Sequence, residues 1–486
     1  MNDIKTYLNF IDGQMVPASG GQTIDCLNPA TGEIVGRVQN SGVRELNQAV
    51  LAADRAFHQA DWRYNPGRRA AALMKYADRL EAESEGLARL LTLNNGKILN
   101  EARGEVAGCI DGVRYFAGLA RNIFGKSLNI SENSMSVLLR EPLGVVGAIA
   151  PFNWPCYLLF RGMLPALAAG CAVVAKPATA TGAATGAMID ILAEIEEIPA
   201  GIVNAVTGPG ATVGDALARH PLVGLINFTG DEATGVEVAR AAAPGIKRLS
   251  LELGGKSPNV VFDDADMDKA LPAAVWAFLA TAGQLCMAGT RLVLQEGIYD
   301  EFLKKLVAEV EKFKVGNGLE DGVMMGPMIN QAQFDKVMGF IELGRKEGRV
   351  VTGGGRPAGS DPKGLFIAPT IVTDLPPESD LVQKEIFGPV LVVQKFKTDE
   401  EAMAIANGTR FGLAAAVWTR DVNRAVRVSR EIKAGTVWVN TYNKFYFPAE
   451  FGGYKASGVG RGQGEESVLE CTEIKHLNFD IQPTYF

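Results

Sequence analysis

The 486-residue sequence is poor in histidine, in paired cysteines and in runs of one charge, and each shortage removes a class of function. His58, His220 and His476 are its three histidines, far apart and without a second ligand nearby. No metal site is expected, and a Cys–His protease pair is poorly supported. The six cysteines, Cys26, Cys109, Cys156, Cys171, Cys286 and Cys471, share no paired spacing. That pattern excludes a disulfide framework and fits a reduced chain. Forty-eight Lys+Arg against 55 Asp+Glu leave a net charge of −7 with no basic tract, so nucleic acid is not an expected partner. The opening MNDIKTYLNF lacks a basic segment followed by an apolar one, and a cytoplasmic location is expected. One stretch, Gly144 to Ala175, carries Arg161 as its sole charge. Pro151, Asn153, Pro155 and Pro165 interrupt it, so it reads as buried core, with no membrane partner.

What is present is apolar and short-ranged. With 47% hydrophobic and 21% charged residues the chain is globular, and its length allows two to four domains. The first forty residues read as short strands and turns. Val43 to Gln59 and Gly67 to Leu93 place apolar residues at three- and four-residue spacing, the period of amphipathic helices. From Gly144 onward the texture changes to apolar runs closed by Gly or Pro: GVVGAIAP, CAVVAKP, IVNAVTG, GLINFTG and LSLELGG. Helical stretches such as Thr181 to Glu197 separate them. Near-continuous apolar strands alternating with helices predict an α/β fold with a parallel sheet covered on both faces. Gly297 to Lys314 and Thr398 to Ala406 as helices, with LVVQKF, AAAVWT and GTVWVN as strands, predict a second α/β unit. CTEIKHLNF reads as a strand near the end of the sequence that needs a pairing partner, for which a neighbouring subunit is a natural candidate.

Two phosphate-loop readings fail on spacing. GGKS ending at Ser257 resembles the end of a P-loop, but Ser250 stands where the first Gly is required. GPGATVG resembles a dinucleotide turn, but Val213 stands where the third Gly is required. The remaining Gly208, Gly210 and Gly214 mark a strand-to-helix turn, which is either ordinary or in contact with a nucleotide. Cys286 lies in GQLCMAGTR, whose small residues allow backbone to approach a reacting group. Glu252 sits in the apolar LELGGKSP, where a carboxylate is either paired or held near neutral pKa for proton transfer. Asn153 is trapped between prolines in PFNWP, as a turn residue or as an amide donor.

Together these segments resemble the aldehyde dehydrogenase superfamily over essentially the whole chain. The resemblance rests on PFNWP, AAGCAVVAKPA, GPGATVG, FTG, LELGGKSP, GQLCMAGTR, EIFGPV, GTVWVN and FGGYKASGVGR, in that order, with 34 residues from Glu252 to Cys286 and 133 from Asn153 to Cys286. It implies that Cys286 attacks an aldehyde carbon while the Asn153 amide and the Cys286 backbone N–H hold the oxyanion. Hydride then passes to a nicotinamide, and water activated by Glu252 hydrolyses the thioester to a carboxylic acid. The depressed thiol pKa this requires is assigned to Lys176, the nicotinamide and backbone dipoles. The cofactor, NAD or NADP, is expected against Ile149, Ala150, Pro151, Phe152, Lys176, Thr179, Gly208, Gly210, Phe228, Thr229, Gly230, Asp231, Leu253, Gly254, Glu385 and Phe387. The substrate is expected against Trp154, Tyr157, Arg161, Leu285, Met287, Tyr442, Phe445 and Phe447, and the aromatic loop Tyr442 to Phe447 reads equally as core packing.

Three departures from the family pattern matter. Asp231 follows FTG where many relatives have Ser, and its carboxylate either approaches the pyrophosphate or caps the next helix. Thr179 replaces the Glu of NAD-preferring relatives, which opens the site to NADP. Glu450 precedes FGGYK where Pro is common, so the shape of that loop is open. The resemblance further implies a Rossmann-like cofactor domain (1–125 and 142–253), an α/β catalytic domain (254–464) and a small β oligomerisation arm (126–141 and 465–486) in a homodimer or homotetramer. Arg161 is expected to form a structural salt bridge, leaving a tunnel for aromatic or medium-chain aldehydes. The alternative is that it grips the carboxylate of a semialdehyde. A coenzyme-A-acylating enzyme and a catalytically silent binding protein are the rival functions. Glu252 opposes the first, and the set Cys286, Glu252, Asn153, Lys176 and Glu385 opposes the second.

Overall fold

Five of the apolar runs become parallel strands: Val145–Ile149, Ala172–Lys176, Val203–Ala205, Val223–Thr229 and Arg248–Glu252. The structure is a computed structural model that describes residues 4–481. Most residues of these strands are buried, as a sheet covered by helices on both faces requires. The eight-stranded sheet runs, edge to edge, Gly458–Val459, Arg248–Glu252, Val223–Thr229, Val145–Ile149, Ala172–Lys176, Val203–Ala205, Asn9–Ile11 and Gln14–Val16. From Val145–Ile149 the chain winds one way through Ala172–Lys176 and Val203–Ala205, then returns to the other side as Val223–Thr229. The reversal leaves a crevice at the carboxyl ends of the two strands where winding changes direction.

A second sheet of seven strands, in the order Arg349–Thr352, Thr370–Thr373, Val390–Phe396, Arg291–Gln295, Pro258–Val261, Ala414–Trp418 and Thr436–Val439, is parallel except at its first pair. Separate apolar clusters cover its two faces. Strands Thr472–Asp480, Ser134–Pro142 and Lys126–Ser131 form a third, antiparallel sheet. The strand expected at CTEIKHLNF therefore pairs within its own chain. Residues 482–486 of the expected arm lie outside the described residues.

The helices of the first third are α1 (Val43–Gln59), α2 (Pro66–Ala82), α3 (Ser84–Asn95) and α4 (Leu99–Leu119). α1 has the expected bounds. The helix expected over Gly67 to Leu93 is instead α2 and α3, broken at Glu83, because the apolar period runs on unchanged across the break. Helix α5 (Pro155–Ala169) fills the charge-poor stretch, and every residue of it except Tyr157 is buried. Pro155 opens it at a position where the missing N–H costs nothing. Pro165, expected to break it, lies inside it, and Gly170 in the left-handed region ends it. Among the described residues no helix is long and apolar enough to cross a membrane.

Candidate active site

A crevice of about 870 Å³ opens at the change in winding direction, walled by the carboxyl ends of four strands. Ile149, Lys176, Thr229 and Glu252 are the last residues of those strands, so the parallel sheet itself delivers them to one place. Cys286, Glu385 and Phe387, from outside these strands, also line it. Asn153, Glu252 and Cys286, far apart in sequence, all line this crevice.

Each of the three has a distinct setting. Asn153 lies in the turn entering α5, and its side-chain amide donates to the Gln284 carbonyl at 2.9 Å. Cys286 is partly accessible from the crevice. Close backbone approach is what Gly255 permits there, since a Cβ at that position would meet the Cys286 carbonyl oxygen at 2.2 Å. Burial pushes the Cys286 thiol up to about 12, while the Arg161 guanidinium opposes the rise. Lys176, expected to depress it, is not among the groups with the largest effect on it. Glu252 is 3% exposed, and neither carboxylate oxygen has a hydrogen-bond partner. Burial therefore pushes its pKa up to about 7, with Arg161 and Arg461 partly offsetting the rise.

The rest of the crevice suits a long, polar-ended ligand with a flat ring. Phe152 and Phe387 face one another edge to face, 5.8 Å between centroids, with Phe387 itself held in the left-handed region at φ 60°. Glu385 accepts from the Gly255 N–H at 2.9 Å, and burial pushes its carboxyl up to about 7. At the other end the buried Lys176 ammonium donates to the Pro177 carbonyl alone, and desolvation lowers its pKa to about 8. An ammonium with spare donors, aimed into a crevice, fits a ribose hydroxyl or a phosphate. Asp231 turns its carboxylate to cap the following helix, accepting from the Thr234 N–H at 3.0 Å and hydroxyl at 2.6 Å. Of the sixteen residues expected at the cofactor, Gly208 alone stands off the wall, because it packs against the backbone of Ser41. Among the described residues no cluster could hold a metal ion.

The sequence profile of the Aldehyde dehydrogenase family matches residues 15–477. The chain belongs to the aldehyde dehydrogenase family. It is 42% identical over 482 residues to Aldehyde dehydrogenase 1 of Tanacetum cinerariifolium, covering 99% of this chain and 96% of that protein. A Betaine aldehyde dehydrogenase of Bacillus subtilis is 39% identical, with 98% of this chain and 97% of that protein covered. Among solved structures, the betaine aldehyde dehydrogenase of Staphylococcus aureus in complex with NAD+ superposes with a TM-score of 0.96 at 36% identity, covering 99% of this chain and 96% of that one.

In this aldehyde dehydrogenase none of the eight residues expected at the substrate lies on the crevice wall. Five of them fall into two aromatic groups. Trp154, Tyr157 and Phe447 pack together with Tyr115 and Phe116. Tyr442 and Phe445 pack on Trp438, with Phe445 also on Phe451. Tyr442 and Phe447 belong to the hydrophobic cores, and the Tyr442 hydroxyl is engaged by the Met287 carbonyl at 2.9 Å. Leu285 is buried beside the nucleophile. Arg161, 4% exposed, donates to the Thr229 hydroxyl at 3.2 Å and lies 5.5 Å from the Phe451 ring centroid. Among the described residues it pairs with no carboxylate, so the structural salt bridge expected for it is not formed. Glu450 lies over Gly464, where a Cβ would meet its carboxylate at 2.4 Å.

Among the lining residues not expected from the sequence are Asn330, Gln333 and Lys336. They occupy the start of the helix Gln331–Glu347, which Asn330 caps. Gln333 donates to the Phe387 carbonyl at 2.8 Å and so fixes the turn that presents Phe387. Their three-residue spacing on one helix face was the available signal.

Proposed function

We propose that this aldehyde dehydrogenase oxidises an aldehyde to a carboxylic acid, with NAD or NADP as the hydride acceptor and Cys286 as the nucleophile. The observation that carries the proposal is that a thiol, an amide donor and an unpaired carboxylate of raised pKa line one crevice. A thiol held near 12 is protonated at neutral pH, so as sulfur attacks the aldehyde carbon its proton passes to the unpaired Glu252 carboxylate, and Arg161 supplies the charge that favours the thiolate. The Asn153 amide exchanges the Gln284 carbonyl for the developing oxyanion, an acceptor that gains charge as the reaction proceeds. The nicotinamide, when bound, accepts hydride. Lys176, Thr179, Glu385 and Phe387 would hold the dinucleotide. After releasing the thiol proton to solvent, Glu252 takes a proton from water as the water attacks the thioester carbon and the Cys286 sulfur leaves as thiolate, a task suited to a carboxylate near pKa 7.

The partly accessible rings of Trp154, Tyr157 and Phe445 support aromatic or medium-chain aldehydes as substrates. One observation favours the second reading, a semialdehyde: the buried Arg161 guanidinium lacks the carboxylate that a buried cation requires. NAD(P)H absorbance with a panel of aromatic, aliphatic and carboxylated aldehydes, run with each cofactor, tests the proposal. No reduction of either cofactor with any aldehyde overturns it.

The same reading divides the chain into a cofactor domain (1–125 and 142–253), a catalytic domain (254–464) and an arm built on the antiparallel sheet. That sheet carries exposed Leu128, Ile130, Ile474 and Phe479, an apolar surface that supports assembly as a homodimer or homotetramer. A cytoplasmic location completes the proposal.

A further inference from the structure

The proposed nucleophile and the proposed oxyanion donor come from segments 133 residues apart, and a third element touches both. Glu101 and Glu105 lie one turn apart on α4, hence on one face of it. Glu105 accepts from the N–H groups of Cys156 and Tyr157, at 2.8 and 3.1 Å, in the first turn of α5 just after Asn153. Its other oxygen pairs with Lys97, both side chains being wholly buried, and the Lys97 ammonium lies 4.4 Å from the Trp154 ring centroid. Asn95 donates to the Phe152 carbonyl at 2.7 Å. The turn that carries Asn153 is thus gripped from α3 and α4.

Glu101 reaches the other way. Its carboxylate accepts from the Thr281 N–H at 2.6 Å, five residues before Cys286. Thr281 and Ala282 both sit in the left-handed region, at φ 51° and 54°, followed by Gly283 at 70°. Residues with a side chain occupy that region only where their surroundings hold them there. The Thr281 hydroxyl in turn accepts from Trp154 Nε1 at 3.1 Å, which ties this loop to the oxyanion turn. The loop's strained shape and its registration with Asn153 therefore meet at the Thr281 peptide, and Glu101 is the acceptor of its N–H.

We propose that Glu101 is a positioning residue, holding the Thr281–Gly283 loop so that Cys286 Sγ and the Asn153 amide keep the separation that attack requires. The proposal rests on the assignment of Cys286 as the nucleophile. A misplacement of about 1 Å between reacting groups can cost about a hundredfold in rate. Glu101→Leu removes the acceptor, whereas Glu101→Gln keeps a carbonyl oxygen at the same reach.

The test compares both variants with the parent enzyme and with Cys286→Ala by stopped-flow NAD(P)H formation, by titration of cofactor binding and by the rate of Cys286 alkylation by iodoacetamide. Glu101→Leu is expected to slow the first hydride transfer about tenfold or more and to change the alkylation rate, with cofactor affinity unchanged. Glu101→Gln is expected to stay within about threefold of the parent. If Glu101→Leu does not accumulate folded, Glu101→Ala, which adds no volume, carries the same test. A parent-like rate in the Leu or Ala variant, or equal losses in the Leu and Gln variants, overturns the positioning role. An active Cys286→Ala enzyme instead overturns the assignment of the nucleophile, so the two failures are distinguishable.

Discussion

Glu252→Gln acts on stability and on turnover in opposite senses, and the structure sizes the first. Burial raises the Glu252 carboxyl from its ordinary 4.5 to about 7 in the folded protein. Below pH 4.5 the group is neutral in both folded and unfolded chains, and its contribution to stability is complete. As pH rises through 7 the folded protein must carry a buried charge that the unfolded chain carries in water, and that contribution is lost. At about 1.4 kcal/mol for each tenfold in proton affinity, the loss comes to about 3 kcal/mol by pH 8. Glutamine does not ionise, so the variant escapes it. The unfolding midpoint of Glu252→Gln is expected to exceed that of the parent at pH 8, with the gap closing as pH falls towards 4.5. Turnover moves the other way. The amide cannot take a proton from water, so about one NAD(P)H per site forms in a rapid phase, followed by a steady state slowed about a hundredfold or more. Scanning calorimetry at a series of pH values, with stopped-flow absorbance on the same samples, measures both effects. A midpoint gap independent of pH would refute the burial argument, and undiminished steady-state turnover would remove Glu252 from the role of base.

Cys286→Ala should abolish NAD(P)H formation while leaving the unfolding midpoint within a degree or two, and residual turnover in the folded variant counts against the nucleophile. Thr179→Glu should shift kcat/KM towards NAD, because it adds a ribose acceptor and places negative charge beside any 2′-phosphate; an unmoved ratio rejects that view of the adenosine end. Arg161→Leu should raise KM for a semialdehyde about tenfold while leaving KM for benzaldehyde-like substrates unchanged, with kcat lowered on both because the thiolate loses its nearby cation, and an equal change of KM on both would remove Arg161 from the grip on a substrate carboxylate. Glu105→Ala should destabilise the protein by about 3–5 kcal/mol, since it strands the buried Lys97 ammonium, and a midpoint close to the parent's would show that the site re-solvates.

Local chemistry was legible wherever it is written in adjacent residues. The apolar runs that end in Gly or Pro became the parallel strands, and α1 begins and ends where its amphipathic period does. Periodicity could not see the break at Glu83, because both helices present the same apolar stripe, nor the continuation of α5 through Pro165. The aromatic cluster Tyr442 to Phe447 was ambiguous for a related reason. A ring in a core and a ring in a tunnel have the same sequence, and only the partners Trp438, Tyr115 and Phe116 distinguish them.

By itself the sequence determined which residue types could do chemistry and the order in which they occur. Cys286 among small residues, Glu252 in an apolar strand and Asn153 between prolines can be read without coordinates. Tertiary structure decided what each of those groups is. The reversal of winding between Val145–Ile149 and Val223–Thr229 makes the crevice, and burial in it raises the pKa of Glu252 and of Cys286. Asp231 became a helix cap and Arg161 was left without a carboxylate. These outcomes depend on which groups surround a charge within a few ångströms in three dimensions. Because electrostatic and desolvation energies vary with that distance and not with separation along the chain, no reading of neighbouring residues could supply them.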